Sequence, residues 1–456
     1  MAAIEIYNEL QRKIDDYDAV IGVFGLGYVG LPLCVALFQS GFKVVGLDVD
    51  HRKIEMLNEG VSYIQHIPKK SWIALRDSDR FTATSDIDKL DSFNIDSYII
   101  CLPTPVGPHN EPDMQYVFRA VERISDVLRP GTLVILESTT YPGTTEEDVV
   151  RILARTDRTD VNRPQELELG TDFFVAFSPE REDPGNVDFT TQSIPKLVGG
   201  ACEKSGLLAS LLYKRANFEQ PVLVRSARVA ECAKLVENIY RSVNIALVNE
   251  LKVVFDAMDV DIWDVLDAAE TKPFGFQRFN PGPGIGGHCI PVDPFYLAWK
   301  AREYGVQTDF IELAARVNAR MPSYVVKRLQ RAFNDKCQRA VHGARILLLG
   351  IAFKPDVDDI RESPALVIWE ELAALGATVN FYDPHIPELP PTRKHAHFAG
   401  QKSIAWTQEE IHQHDSIIVI THHRAVDLET LKGYPGIVID SRNAVSPHLG
   451  LNVYKA

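Results

Sequence analysis

The segment Asn280-Pro281-Gly282-Pro283-Gly284-Ile285-Gly286-Gly287-His288-Cys289-Ile290-Pro291-Val292-Asp293 delivers one cysteine beside a histidine and four residues ahead of an aspartate. A loop this dense in glycine and proline lets backbone approach a ligand closely. A cysteine attacks only as thiolate, so Cys289 needs a lowered pKa or an adjacent base. Of the other five cysteines, Cys34, Cys101 and Cys232 sit in apolar or helical settings and read as small buried hydrophobes, and Cys202 and Cys337 read as incidental. No CxxC spacing occurs, so reduced thiols are expected rather than a disulfide framework.

A second chemistry-bearing stretch lies near the start. Gly25-Leu26-Gly27-Tyr28-Val29-Gly30 follows an apolar run and opens a helical pattern. Its glycines permit a tight turn, close approach to a pyrophosphate and close helix–strand packing. The helix N-terminus adds free N–H groups and the positive end of a dipole. Asp48 ends the next apolar run, where a carboxylate holds ribose hydroxyls and repels a 2′-phosphate, so NAD is expected rather than NADP. Lys53 joins Tyr28 and Val29 as an expected cofactor neighbour, while Asp50 reads as a solvated loop acid. Two further strand ends, Leu102-Pro103-Thr104-Pro105 and Ser138-Thr139-Thr140-Tyr141-Pro142-Gly143, bring Thr104 and Thr139 to the crevice of such a sheet. Thr144-Thr145-Glu146-Glu147 reads as a helix start.

A nicotinamide site paired with a nucleophilic thiol suggests a particular reaction. One oxidation of an alcohol needs no cysteine, but taking the aldehyde further does. Addition of the thiolate gives a thiohemiacetal, loss of a second hydride gives a thioester, and water releases a carboxylate. The expectation is a four-electron oxidation that consumes two NAD.

The elements that position these groups follow from the apolar patterning. Runs at 19–25, 43–48, 97–103 and 132–138 read as buried parallel strands separated by amphipathic stretches such as 114–128. From Arg228, apolar residues at Val229, Cys232, Val236, Ile239, Val243, Ala246, Leu247, Leu251 and Val254 predict one long helix. A second strand–helix rhythm covers 344–350, 377–383, 416–422 and 436–441. The fold class is α/β: two Rossmann-like doubly wound domains joined by a central long-helix domain. The expected boundaries are 1–213, 214–325 and 326–456, with the long helix as a homodimer surface and a higher homo-oligomer as a further possibility.

A net charge of −14 argues against nucleic acid or an anionic membrane as a partner. The first residues hold acids and no apolar signal core, and no run is long enough to span a bilayer, so a cytoplasmic protein is expected. His395/His397 and His422/His423 lack the spacing of zinc ligands and read as surface histidines; no metal is expected.

In order along the chain, GLGYVGLP (25–32), STTYPG (138–143), SPE (178–180), the helical Lys234 and Asn238, GGHCIPVDP (286–294) and AFKPDVDDIRESP (352–364) resemble the UDP-glucose/GDP-mannose dehydrogenase family over nearly the whole length. That resemblance implies Cys289 as nucleophile and Glu180 as the group that assists water in thioester hydrolysis. It implies Lys234 as stabiliser of an oxyanion, Asn238 on the same oxygen or water, Asp293 as base or water-orienting group, and Thr139 nearby. Lys234 and Asn238, one turn apart, share a helix face away from the Val236/Val243 stripe. The substrate is expected to be a UDP-sugar, held by Glu180, Lys234, Asn238, Arg278, Asn280, Gly286, Lys354 and Arg361, with Asp358 and Asp359 as local salt-bridge partners. Ser62-Tyr63-Ile64-Gln65-His66-Ile67 departs from glucose-specific relatives, and His288 accompanies the branch acting on UDP-N-acetylhexosamines. UDP-N-acetylglucosamine is the best match, with UDP-glucose, UDP-N-acetylgalactosamine and UDP-N-acetylmannosamine as alternatives. A two-electron hydroxy-acid dehydrogenase, which has no use for Cys289, and a non-catalytic nucleotide-binding protein, against which the complete set Cys289, Lys234, Asn238, Glu180 and Asp293 speaks, are the rivals.

Overall fold

Short apolar runs can bury both faces, and here the central strands do so in two sheets, one of them parallel throughout and the other parallel except for one pair. The structure, a computed structural model, describes residues 2–61, 63–64, 67–107, 109–155, 167–181, 192–287, 289–392 and 394–456, with the backbone alone at 2, 3 and 289. Among the described residues eight strands form the first sheet: β1 (Val20–Phe24), β2 (Lys43–Leu47), β3 (Phe81–Thr84), β4 (Ser97–Ile100), β5 (Thr132–Leu136), β6 (Phe173–Phe177), β7 (Leu197–Gly200) and β8 (Val222–Val224). Their order is β3-β2-β1-β4-β5-β6-β7-β8, and only the β6/β7 pair is antiparallel. Five parallel strands form the second: β9 (Arg345–Leu349), β10 (Thr378–Tyr382), β11 (Ser416–Val419), β12 (Ile437–Asp440) and β13 (Asn452–Lys455), in the order β10-β9-β11-β12-β13.

The chain divides into two compact units. One comprises Met1–Glu237 and Phe295–Gly305, the other Asn238–Pro294 and Val306–Ala456. Two of the three boundaries fall inside helices, the long helix Ala227–Ala257 and the helix Cys289–Glu303, and the third follows Gly305. The long helix has 31 residues, as its apolar spacing predicts.

Each sheet reverses its winding beside its first strand, between β1 and β4 and between β9 and β11, and these are the places where open α/β sheets hold ligands. The two sheets leave their first strand by the same device. Gly25 turns at φ 93°, and a Cβ there would stand 2.5 Å from Cys101 O; Gly350 turns at φ 80°, and its Cβ would stand 1.9 Å from Thr421 O. Only glycine fits either turn. An aspartate at the end of the neighbouring strand then receives the turn's backbone N–H groups: Asp48 Oδ2 accepts from Leu26 at 2.9 Å, and Asp383 Oδ2 accepts from Ile351 at 2.8 Å and Ala352 at 3.0 Å.

Candidate active site

In the first unit, Gly30 opens the helix Gly30–Ser40, whose first N–H groups have no side-chain cap. A Cβ on Gly30 would lie 1.9 Å from Gly25 O, whereas one on Gly27 would meet nothing within 4 Å. Gly30 therefore serves packing, and Gly27 faces open space above the loop. Together with an uncapped helix start this is a cradle that fits a dinucleotide pyrophosphate. Asp48 Oδ2 is shared by Leu26 N–H and Lys53 Nζ, each at 2.9 Å, and Oδ1 accepts from Asp50 N–H. One lone pair on Oδ1 is left for a ribose hydroxyl. Lys53 is thereby tied to Asp48. Asp50 is the N-cap of the helix His51–Glu59 rather than a solvated loop acid. Tyr63 donates to Leu26 O at 2.7 Å and braces the turn from below. Ser62, Gln65 and His66 lie outside the described residues.

Thr104 is buried, and its carbonyl accepts from Tyr296 OH at 2.9 Å. At the next strand end, Ser138 Oγ accepts from Leu102 N–H and donates to Ile100 O, tying β5 to β4. Thr139 Oγ1 then meets Lys234 Nζ at 2.6 Å, with both side chains buried. What holds this register is Glu231, one turn before Lys234. Its carboxylate accepts from Gly143 N–H at 2.6 Å and from Thr145 N–H at 2.9 Å. Burial raises the Glu231 pKa, against the pull of those donors. The expected helix start at Thr144 is a π-helical turn, Thr144–Val149, followed by Val150–Leu153. Glu180 follows β6, where its carboxylate takes Lys196 Nζ at 3.3 Å and Arg181 N–H at 2.7 Å.

Lys234 and Asn238 do share a face, but the burial of the helix is the reverse of what its apolar stripe suggests. Glu231, Lys234, Asn238, Ser242, Asn249 and Lys252 are buried, while Val229, Val236, Leu247 and Val254 are exposed, Val236 at 58%. The polar face is the inner one.

In the second unit, Asn238 Nδ2 donates to Asp293 Oδ2 at 2.6 Å, both buried. Residue 289 is the first of the helix Cys289–Glu303; His288 lies outside the described residues. The glycine loop ahead of it is clamped from two sides. Gly282 N–H donates to Asn249 Oδ1, whose amide continues to Asn318 Oδ1, and Asn318 donates to Ser242 O. Gly287 N–H donates to Arg361 O at 2.8 Å, and a Cβ on Gly286 would meet Phe353 Cβ at 2.6 Å. The 352–364 motif therefore packs directly on the loop. Arg278 holds Asn280 Oδ1 at 2.9 Å together with Asp267 and Glu270. Arg361 is exposed and paired with Asp359, and Lys354 Nζ lies 5.7 Å from the Phe353 ring centroid.

Asp356 of that motif, His385 and His423 bring ligand-type atoms within 4.8 Å of one another. His423 is fully buried, which corrects the surface reading of that histidine. Its Nδ1 accepts Asp356 N–H at 2.9 Å and its Nε2–H donates to Asp383 Oδ2 at 3.0 Å. Arg424 occupies the Asp356 carboxylate. With both ring nitrogens engaged, His423 has no lone pair for an ion, and the group is a brace beneath the β9 turn.

Sequence reasoning passed over several residues that shape these sites. Asp383 was open to detection, because it ends its apolar run as Asp48 does. Glu137, an acid closing an otherwise apolar strand, carried the same kind of signal. Glu231, Lys196 and Asn249 carried none, since their partners are distant in sequence.

Residues 19–217 match an NAD binding domain, 228–320 a central domain and 347–447 a UDP binding domain. These make the protein an NAD-dependent oxidoreductase with a second, UDP-binding domain. The chain belongs to the UDP-glucose/GDP-mannose dehydrogenase family, to which all three domains are assigned. It is 37% identical over 371 residues to the UDP-N-acetyl-D-glucosamine 6-dehydrogenase of Pseudomonas aeruginosa, covering 81% of this chain and 83% of that one. It is 34% identical over 370 residues to the UDP-N-acetyl-D-mannosamine dehydrogenase of Campylobacter jejuni, covering 81% and 87%. Among solved structures, the UDP-D-ManNAc dehydrogenase of Pyrococcus horikoshii is similar at TM-score 0.80 and 30% identity, covering 96% of this chain and 98% of that one. Among the described residues no helix is long and apolar enough to cross a membrane.

Proposed function

We propose that the protein oxidises the C6 hydroxymethyl group of a UDP-N-acetylhexosamine, UDP-N-acetylglucosamine first among them, to the uronate. The observation that carries the reading is residue 289 at the first position of a helix, behind a clamped glycine loop, in a chain with an NAD binding domain. A helix N-terminus is where a thiolate is stabilised. Gly25, Gly27, Gly30 and Asp48 would hold NAD, which would supply the hydride acceptor for both oxidations.

The remaining chemistry belongs to the chain. Lys234, with its ammonium steered by Thr139, stabilises the oxygen that bears negative charge in the alcohol and thiohemiacetal steps. Cys289 adds to the aldehyde carbon and carries the acyl group as a thioester. Asp293, oriented by Asn238, takes a proton from the reacting oxygen or from water. Glu180 activates the water that breaks the C–S bond, returning the thiolate and releasing the carboxylate. Net, the alcohol and one water lose two hydrides and three protons. Thr104 and Asp48 serve the cofactor; Arg278, Asn280, Gly286, Lys354 and Arg361 serve the UDP-sugar, acting within segments 1–213, 214–325 and 326–456.

The choice of sugar is supported by the Pseudomonas aeruginosa relative, and the Campylobacter jejuni relative supports UDP-N-acetylmannosamine as the second reading. A homodimer through the long helix is supported by the exposed Leu247 and Val254, a spacing of two turns on one face. The deciding experiment is NADH yield per sugar with UDP-N-acetylglucosamine, UDP-N-acetylmannosamine, UDP-N-acetylgalactosamine and UDP-glucose. Two NADH on UDP-N-acetylglucosamine supports the proposal. Two on another sugar reassigns the substrate, and one on any sugar removes the thioester step.

A further inference from the structure

Beside β5 the interior of the first unit holds a charge cluster of which the proposed chemistry uses only Glu180. Lys196 Nζ lies 2.9 Å from Glu137 Oε2 and 3.3 Å from Glu180 Oε2. Tyr213 OH donates to the other oxygen of Glu137. The cluster is closed at one end and open at the other: the Glu137 side chain is fully buried, Lys196 nearly so, and Glu180 keeps 15% of its side-chain surface.

We propose that Lys196 is a positioning residue for thioester hydrolysis, holding the Glu180 carboxylate ionised and aimed, with Glu137 and Tyr213 as its buried anchor. A purely structural salt bridge would need one partner, and Glu137 already supplies it inside the core. The second bond goes to the carboxylate at the open edge. Burying an ammonium is unfavourable unless it is paired and hydrogen-bonded. Here burial works against the charge on Lys196, and the two carboxylates outweigh it and push its pKa up. Burial raises the Glu137 pKa, with Lys196 opposing.

The groups that face the cluster are Cys101 after β4, Glu137 after β5, Tyr213 on the helix Glu203–Arg215, and Arg181 beside Glu180. Arg181 is itself held by Glu237 of the long helix at 2.7 Å. Among the described residues, Glu180 contacts the Lys196 ammonium, and the buried Glu137 carboxylate lies behind that cation. This makes the signs of two substitutions opposite. Removing Lys196 takes away the compensating charge, so Glu180 gains its proton more readily. Removing the charge of Glu137 frees Lys196 for Glu180, so Glu180 loses its proton more readily.

The inference rests on the reading of Glu180 as the base for hydrolysis. The test uses the full chain and steady-state kcat against pH, with UDP-N-acetylglucosamine or whichever of the four UDP-sugars yields NADH. In Lys196→Met, kcat falls about tenfold and the acid limb moves to higher pH, with KM for sugar and NAD held within about twofold. Intact-mass measurement finds the acyl adduct on Cys289 accumulating. In Glu137→Gln the acid limb moves to lower pH, and in Tyr213→Phe it moves the same way by less. Limbs that stay put, or that all move together, overturn the proposal. Should Lys196→Met fail to fold by circular dichroism, the Glu137→Gln and Tyr213→Phe limbs decide it alone. Glu180→Gln separates the two layers: full activity in that variant overturns the role of Glu180 and this inference with it, whereas an inactive Glu180→Gln beside unmoved limbs overturns the inference only.

Discussion

Lys234 Nζ donates to Thr139 Oγ1 at 2.6 Å, a contact between residues 95 positions apart that places a buried ammonium at the carboxyl end of β5. A buried cation aimed at a strand end of an NAD-binding sheet is suited to an oxygen that gains charge. Lys234→Met should lower kcat by about 10²- to 10³-fold, the range for loss of one preorganised donor. Thr139→Ala leaves the ammonium present but unsteered, so its loss should be smaller, about tenfold. Steady-state kinetics on both variants check the order. Equal losses would argue that Thr139 binds the reacting group itself.

Cys289→Ser should give no net carboxylate. The serine variant can still carry out the first oxidation, so one NADH per active site and a trappable aldehyde are expected in a single-turnover experiment with an added carbonyl reagent. Continuous two-NADH turnover by the serine variant would remove the covalent step.

Gly27 and Gly30 should part company on substitution. A methyl on Gly30 would stand 1.9 Å from Gly25 O, so Gly30→Ala should destabilise the fold by about 2 kcal/mol or more and lower the urea midpoint. A methyl on Gly27 meets no protein atom within 4 Å. Gly27→Ala should therefore keep the urea midpoint and raise KM for NAD by about tenfold or more, because the methyl takes the space of the pyrophosphate. Unchanged NAD affinity in Gly27→Ala would move the cofactor away from this loop.

Asp383 gives a pH dependence with a defined sign. Burial works to raise its pKa, but the donors His423, Ala352 and His385 outweigh burial, and the net shift is downward. A carboxylate with a depressed folded pKa contributes stability above its unfolded pKa of about 3.9, and that contribution is lost as pH falls through the folded value. Asp383→Asn should lower stability at neutral pH by about 2 kcal/mol. The gap from the unsubstituted chain should close as pH falls below about 4. Urea titrations at several pH values measure both. A gap independent of pH would mean that shape, not charge, does the holding.

The long helix predicts its own association behaviour. Leu247 and Val254 are exposed at the same face, where a single charge should disrupt an apolar seam. Leu247→Glu is expected to halve the mass seen by light scattering while leaving the helix content unchanged. A monomeric unsubstituted chain would refute the seam.

Much of this was readable from local patterns. Strands such as KVVGLD and ARILLLG are short apolar runs that can only be buried, and the Gly25–Gly30 spacing carries its own turn geometry. Cys289 stood out because glycine and proline around it announce a loop built for close approach. Weak strands were not singled out, because β3 and β8 are short and partly exposed and lack a strong apolar signal.

What the sequence by itself determined, then, is the alternation of strands and helices at each end of the chain and the turn chemistry, which depend on neighbours within a few residues. Only the tertiary structure decided which face of the long helix is inner. Apolar periodicity marks a face but does not say what covers it, and here Lys234 and Asn238 lie inward while Val236 lies out. The same holds for Glu137 and Lys196, 59 residues apart, whose pairing follows from the order in which β5, β6 and β7 assemble and from the need of each buried charge for the other.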